Sequence, residues 1–210
     1  MRKIFLLMAL CLTTVFAAKA GNLQIYTEYK DGTLIYYYDD QMALRLGKTE
    51  LYNPADDRFK EYHDEVLRVK IHSSMFDAPL VSTSRMFYGG KYALSQMQKI
   101  EGLGYLNTDN VTDMSEMFRG CESLSSVDLS LLNTDKVKYM NGMFNGCKKL
   151  YTLDLRPINT ANVVNMQEMF YRDTAITDFA PIEDWDVGNV TNMANMFYDI
   201  TIDTPTWYVP

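Results

Sequence analysis

Apolar residues recur at a fixed spacing through the second half of the chain. The pattern Met-x-x-Met-Phe begins at Met114, Met140, Met166 and Met193, and its successive copies are 26, 26 and 27 residues apart. A valine three residues before each copy keeps the same register, at Val111, Val137, Val163 and Val190. A period of this length predicts structural repeats whose equivalent side chains stack into one continuous core.

The spacing inside each unit predicts a short helix. In the first unit the apolar residues fall at i, i+3, i+6 and i+7, which is one helical face: Val111, Met114, Met117 and Phe118. Thr108 is the predicted N-cap, and Asp109 follows in the first turn, where the helix dipole favours a carboxylate. Gly120 and Gly146 stand where the first two of these helices should end.

A strand is predicted after each helix. Residues 124–129 and 150–155 carry the Leu-x-x-Leu-x-Leu rhythm of a leucine-rich-repeat strand, and residues 176–181 carry an imperfect copy. A strand plus a helix cannot bury its apolar side without neighbouring units. The predicted fold is therefore an α/β solenoid, a short leucine-rich-repeat right-handed superhelix with a β-rich N-terminal cap.

The repeated methionines allow two interpretations. Eight of the fourteen methionines lie in the stripe. A thioether metal site would need soft ligands that converge on one point, whereas a ladder along the repeats spreads them out. Flexible methionine also fills irregular gaps between packed layers well. Core packing is the favoured interpretation, and no metal ligand is predicted.

The termini of the repeat region predict caps. Residues 23–29 and 33–38 are rich in β-branched and aromatic residues and flank Lys30-Asp31-Gly32, which predicts a β-hairpin. Residues 66–71 predict another strand. The predicted organisation is a capping region at 21–83, repeats at 84–200 (one irregular and about four regular) and a C-terminal cap at 201–210. The closing aromatic residues, Trp207 and Tyr208, are expected to cover the last repeat.

Residues 1–20 are interpreted as a secretory signal peptide. Arg2 and Lys3 precede an apolar run at 4–16, and Ala18 and Ala20 supply small residues at the −3 and −1 positions of a cleavage site. A lipoprotein signal at Cys11 is the less favoured alternative, because no small residue precedes this cysteine. The mature protein is expected to be exported, and to be secreted, periplasmic or at the cell surface.

Charge narrows the classes of partner. Removing residues 1–20 removes Arg2, Lys3 and Lys19, so the formal net charge goes from −7 to −10. This negative net charge disfavours binding of the mature protein to nucleic acid or to anionic lipid. The sequence after residue 20 contains no long apolar run, so no membrane span is predicted in the mature chain.

The unit "LNTDNVTDMSEMFRGCESLSSVDLS" at 106–130 resembles the repeat of BspA-type leucine-rich-repeat surface proteins, found in Bacteroides-group bacteria, mycoplasmas and some protozoan parasites. "DGTLIYYYDD" at 31–40 and "STSRMFYGG" at 82–90 resemble that family's N-terminal cap and first, irregular repeat. The resemblance implies a secreted or surface-exposed protein, and some members are adhesins for host matrix or plasma proteins. It implies no catalytic motif.

The sequence offers little enzyme chemistry. His63 and His72 have no neighbours with the spacing of a catalytic triad or a zinc site. No pair of carboxylates is singled out as a glycosidase pair. Neither enzymatic activity nor a cofactor is predicted. Cys121 and Cys147 lie one repeat apart, which permits a disulfide, although two buried thiols are the favoured interpretation.

The outward residues of the predicted strands form the candidate binding surface. Asp128 and Asp154 occupy equivalent positions, and either solvated carboxylates or a shared Ca²⁺ would relieve their repulsion, with solvation favoured. Tyr151 and Arg156 are residue types common at binding hot spots. The predicted function is binding of a protein or glycan partner, with a structural role in an envelope assembly as the alternative. The candidate residues are Ser126, Asp128, Tyr151, Thr152, Asp154, Arg156 and Asp178.

Overall fold

The computed structural model describes residues 23–51, 63–90 and 94–209. The predicted signal peptide at 1–20 lies outside these residues. The N-terminal part forms a five-stranded mixed sheet in the order β3-β1-β2-β4-β5. Its strands are β1 (Gln24–Lys30), β2 (Thr33–Asp39), β3 (Lys48–Leu51), β4 (Arg68–Ile71) and β5 (Lys99–Glu101).

The predicted hairpin is present. β1 and β2 pair antiparallel, with Lys30 opposite Thr33. Asp31 and Gly32 between them both have positive φ, at 51° and 73°, which is the backbone that a tight two-residue hairpin turn requires. β3 adds antiparallel to β1, whereas β4 and β5 add in parallel on the other side. The strand predicted at 66–71 corresponds to β4.

The repeat region contains a second, two-stranded parallel sheet of β6 (Ser126–Val127) and β7 (Thr152–Leu153). The described residues also contain five short 3₁₀ helices, at Met42–Leu44, His63–Glu65, Ser73–Asp77, Leu103–Tyr105 and Ala180–Ile182. The strand expected in the third copy does not form. Asp178 accepts a hydrogen bond from the backbone N–H of Ala180 at 2.8 Å, and this turn leads into a 3₁₀ helix instead.

The prediction of an α/β solenoid, a leucine-rich-repeat superhelix, is wrong. No α-helix occurs in the part of the chain that the structure describes, and its regular elements are the two sheets and the short 3₁₀ helices. The apolar face assigned to a helix is nevertheless fully buried, since Val111, Met114, Met117 and Phe118 all have 0% exposure. The periodicity identified the buried positions but not the backbone conformation of the residues at those positions.

Consecutive β-turns replace the predicted helix. The N–H of Met117 donates to the Met114 carbonyl, and Glu116, the third residue of this turn, has φ of 55°. A second turn follows, in which the N–H of Cys121 donates to the Phe118 carbonyl and Gly120 has φ of 75°. A positive φ at the third residue is the arrangement of a type II turn and cannot continue a right-handed helix. Gly120 therefore belongs to a turn and ends no helix.

Alternate amides in these turns bond to the next repeat. The N–H groups of Met114, Glu116 and Phe118 donate to the carbonyls of Tyr139, Asn141 and Met143, each at 2.9 Å. The same pattern links the following copies, and parallel bridges connect Ser82, Asp113, Tyr139, Asn165 and Asn192 in sequence. Backbone hydrogen bonds from the turns, together with the isolated bridges, thus stack the repeats.

A column of aromatic rings runs through the core of the stack. Phe118 lies 5.5 Å from Phe87 on one side and 5.5 Å from Phe144 on the other, measured between ring centroids. The column continues through Phe170 to Phe197. Stacked rings at one repeat position bury a large apolar area and fix the register between repeats.

The Asn-Thr positions have a structural role different from the predicted one. Thr108 does not cap a helix. It is 3% exposed, and its Oγ1 accepts a hydrogen bond from the backbone N–H of Asn133 at 2.7 Å. Thr134 repeats this contact with Asn159 at 2.8 Å. Asp109 accepts from the Asn133 side chain. These residues therefore connect neighbouring repeats.

Both termini of the stack carry packed aromatic residues. The Tyr36 hydroxyl on β2 donates to the Met86 carbonyl at 2.6 Å and joins the sheet to the first repeat. At the other end, Trp207 packs against Trp185, and its Nε1 donates to the Ile182 carbonyl at 2.9 Å. Tyr208 lies against Phe197, so both closing aromatics pack on the last repeat as expected.

Candidate binding surface

The strand surface consists of the seven predicted residues, all of which are exposed: Ser126, Asp128, Tyr151, Thr152, Asp154, Arg156 and Asp178. Ser126 on β6 lies beside Thr152 on β7 in the parallel register. The residue after Ser126 on β6 points inward, because successive residues of a strand point to opposite faces. Val127 is accordingly buried, at 8% exposure.

Asp154 and Arg156 form a two-point ion pair. Arg156 donates from Nε to Oδ1 at 2.9 Å and from Nη2 to Oδ2 at 2.7 Å. These side-chain hydrogen bonds, together with the backbone N–H of Arg156, lower the pKa of Asp154 to about 2. The pair is solvent-exposed, so it orients the guanidinium more than it stabilises the fold.

The carboxylate of Asp128 accepts a hydrogen bond within its own turn. Its Oδ1 accepts a hydrogen bond from the backbone N–H of Ser130 at 3.0 Å. Hydrogen bonds from the Ser130 side chain and backbone lower the pKa of Asp128, although the neighbouring Asp154 acts in the opposite direction. Protein donors therefore lower the pKa of both carboxylates.

Tyr151 is the large apolar residue of the strand surface. It is 66% exposed, and its ring and hydroxyl have no partner among the described residues. Asp178 stands apart from the strands because it begins the turn that ends the ladder. The structure therefore places six of the predicted residues on the two strands or within three residues of them, and leaves Asp178 on the neighbouring repeat.

A cleft beside the strand surface was missed by the sequence analysis. It has a volume of about 340 Å³ and lies between the last two repeats. Arg156 connects it to the strand surface. The signal for it was the degenerate last copy, in which Trp-Asp-Val replaces the Leu-Asn-Thr or Ile-Asn-Thr of the earlier units. The residues around the cleft are Arg156, Ile158, Asn159, Thr160, Pro181, Asp184, Trp185 and Asp186.

Cys121 and Cys147 are free, buried thiols. Each donates to the phenylalanine carbonyl of the preceding repeat, Cys121 to Phe87 at 2.8 Å and Cys147 to Phe118 at 3.1 Å. Burial raises the pKa of both thiols. A buried thiol with a raised pKa is a poor nucleophile, so these cysteines serve packing.

The described histidine and acidic side chains were compared with the geometry of a metal site. The His72 ring accepts from the Ser74 backbone and lies 4.8 Å from the Tyr37 ring, while the His63 side chain is outside the described residues. In the described ranges, no group of three or more His, Cys, Asp or Glu side chains is placed to hold a metal ion. Nor does any helix there have the length and apolarity to cross a membrane.

Comparison with known families gives a match over the repeat region. Residues 81–205, more than half of the chain, match the family described as Mycoplasma protein of unknown function, DUF285. No curated protein and no solved structure shows significant similarity to the chain. The matched segment begins at the first stacked repeat, includes the strand surface and the cleft, and ends within the closing segment. The chain therefore belongs to the DUF285 family.

Proposed function

We propose that this protein is an exported binding protein that takes a protein or glycan partner on its strand surface. Tyr151 carries the proposal. It is a 66% exposed aromatic side chain without a partner among the described residues, and it directly precedes β7, whose Leu153 packs against the core. Tyrosine supplies a large, rigid contact area at low conformational cost, which suits a recognition surface.

Arg156 supports the same proposal. Its side chain is 75% exposed, and its pair with Asp154 fixes the guanidinium while Nη1 stays free of hydrogen bonds among the described residues. The outward positions also vary between units, since Ser125, Tyr151 and Thr177 occupy the same place in successive repeats. The core positions hardly vary. Variable residues on a fixed scaffold are suited to recognising a specific partner.

Two features of the sequence support a cell-surface setting. The export proposal depends on residues 1–20, and N-terminal sequencing of the protein from its native host should find Gly21 first. The Met-x-x-Met-Phe spacing supports a relationship to BspA-type surface proteins. An intact N-terminus at Met1 would contradict the proposed export.

The binding experiment compares two double variants on a panel of extracellular-matrix proteins and cell-surface glycans. Tyr151→Ala with Arg156→Ala should weaken a bound partner by about 2 kcal/mol, roughly thirtyfold in Kd, if both residues are hot spots. The matched control is Lys138→Ala with Tyr139→Ala, which removes one cation and one exposed tyrosine from another face. Equal effects of the two double variants would contradict the proposed surface.

A structural role in an envelope assembly is the second candidate. It is favoured by the polar character of the strand surface, where Tyr151 has no aromatic neighbour within stacking distance among the described residues. Binding sites usually present a larger contiguous apolar patch. If no panel member binds the unaltered protein, this second function becomes the better proposal.

A further inference from the structure

A second cleft lies on the N-terminal sheet, beside the β1–β2 hairpin, and has a volume of about 300 Å³. A volume at the lower end of the range for ligand pockets suits a small molecule. The cleft brings side chains of the hairpin together with side chains of the neighbouring parallel strand, β4. The residues that line it include Lys30, Asp31, Ile35, Arg68 and Lys70. We call it the sheet cleft.

A row of residues across four strands of the sheet places three cations on one face. Lys30 on β1 lies opposite Thr33 on β2, which in turn lies beside Arg68 on β4. Arg68 lies beside Lys99 on β5. Partnered positions point to the same face of a sheet, on strands about 4.8 Å apart. Leu34, the residue after Thr33, is buried in the core, so the row faces away from the core.

Within the described part of the chain, three cationic side chains of the sheet cleft have neither a hydrogen bond nor an ion pair: Lys30, Arg68 and Lys70. All three are exposed. Lys99, in contrast, pairs with Glu101 at 2.8 Å. Like charges at neighbouring positions, such as Arg68 and Lys99, destabilise a sheet. A bound anion would offset this uncompensated positive charge.

The carboxylates that line the sheet cleft, Asp31 and Glu101, do not cancel this charge. A hydrogen bond from Lys99 is the main cause that lowers the pKa of Glu101, and Lys70 and Arg68 act in the same direction. Counted with the row, four cations face two carboxylates, so the local charge is positive. The whole chain has a formal net charge of −7. That overall charge repels a large polyanion, whereas salt screens its effect on a small anion.

We infer that the sheet cleft binds a small ligand through a phosphate or sulfate group. Such a group presents three terminal oxygens, one more than a carboxylate, which suits three unpaired cations around one cleft. The planar guanidinium of Arg68 can donate to two of these oxygens, while Lys30 and Lys70 act as point charges.

Other residues of the sheet cleft suit the remainder of such a ligand. The Thr33 hydroxyl supplies a further donor, and Ile35 supplies a partly exposed apolar contact. The sheet cleft is built on β1, β2 and β4, whereas the strand surface is built on β6 and β7. The inference therefore does not depend on the proposed function.

The test titrates the full protein with inorganic phosphate, glucose 6-phosphate and glucose 6-sulfate, and with glucose as the uncharged control. At least one of the three anions should bind with a Kd of about 1 mM or lower by calorimetry, and glucose should not. The order of the three affinities distinguishes free phosphate from a phosphate ester and from a sulfate ester. In NMR spectra the amides of Thr33, Arg68 and Lys70 should shift, whereas the amide of Thr152 on the strand surface should not.

Two double variants with the same change in net charge test the site. Arg68→Gln with Lys70→Gln should raise the Kd of the bound anion at least about tenfold, because charge-assisted hydrogen bonds are lost. The matched control is Lys138→Gln with Lys149→Gln, two exposed lysines without an ion pair among the described residues, and it should change the Kd less than about twofold. Equal effects of the two double variants would overturn the inference. So would a Kd above about 1 mM for all three anions, or NMR shifts confined to another surface.

Discussion

At the scale of single residues, Asp173 is the position where the repeat departs most from its own pattern. It replaces the cysteine found at Cys121 and Cys147, and it is 0% exposed. Its Oδ1 accepts from the Cys147 N–H at 2.7 Å, whereas Oδ2 has no partner among the described residues. Burial raises the pKa of Asp173 well above its usual value, although backbone donors at Cys147 and Gly146 lower it.

This pKa shift predicts that Asp173 destabilises the fold at neutral pH. Above the unfolded-state pKa, near 3.8, the unfolded chain releases the proton and the folded chain retains it. The free energy of unfolding therefore falls as pH rises from that value towards the folded-state pKa. Asp173→Cys should raise the free energy of unfolding at pH 7 by about 1–2 kcal/mol, because it restores the repeat residue.

Urea unfolding at pH 4.5 and pH 7 measures this effect. The gain from Asp173→Cys should be larger at pH 7 than at pH 4.5, since the carboxyl is closer to neutral in both states at the lower pH. Asp184→Asn, at an exposed acid of the same end, serves as the control and should change little. A variant that is no more stable than the unaltered protein at pH 7 would contradict the assignment.

At the scale of the element, each regular repeat contains two consecutive turns, whose positive-φ residues lie four positions apart. Gly120 and Gly146 are the glycines of the second turn, with φ of 75° and 78°. They differ in their surroundings. A Cβ on Gly120 would lie 2.9 Å from the backbone of Gly89, whereas a Cβ on Gly146 would have its nearest neighbour at 3.8 Å.

Alanine should therefore lower the free energy of unfolding less at Gly146 than at Gly120. Gly146→Ala should cost about 1 kcal/mol, from the left-handed backbone. Gly120→Ala has the same backbone cost and also forces the first two stacked repeats apart, so about 2–4 kcal/mol is expected. Chemical denaturation of both variants measures the difference. Equal losses would show that the close approach of Gly120 to Gly89 contributes no stability.

At the scale of the whole molecule, the sheet and the repeats share one hydrophobic core. A single cluster of buried side chains extends from Leu34 and Tyr36 on β2 to Phe197 in the last repeat. The Tyr36 hydroxyl bonds to the Met86 carbonyl, and its ring meets Phe87 edge-on at 5.8 Å. The sheet is therefore expected to unfold together with the stack.

Tyr36→Phe tests this coupling. The variant keeps the ring and leaves the buried Met86 carbonyl without its side-chain donor, which should cost about 1–2 kcal/mol. The chain has two tryptophans, Trp185 and Trp207, both at the far end. Their fluorescence should show the lowered midpoint if unfolding is cooperative, in agreement with circular dichroism. An unchanged fluorescence midpoint would mean that the two ends unfold independently.

The sequence determined the period, the buried positions and the outward positions. The repeat at steps of 26, 26 and 27 residues marked Met143, Phe144 and their equivalents, and these side chains are fully buried. The strand surface could be identified because the Leu-x-x-Leu-x-Leu rhythm of residues 150–155 separates the leucines from the exposed residues between them. The hairpin could also be predicted, since Asp31-Gly32 is a dipeptide typical of two-residue hairpin turns. These features depend on local pattern.

The tertiary structure decided the backbone and the clefts. A spacing of three and four residues fits a helix and also fits successive turns, so the sequence could not distinguish them. Glu116 and Glu168 adopt φ of 55° against their intrinsic preference, and hydrogen bonds from their amides to the next repeat hold them there. The cleft at Trp185 likewise depends on how residues 156–160 pack beside residues 181–186. Interactions between residues far apart in sequence determine those features, and a local pattern does not encode them.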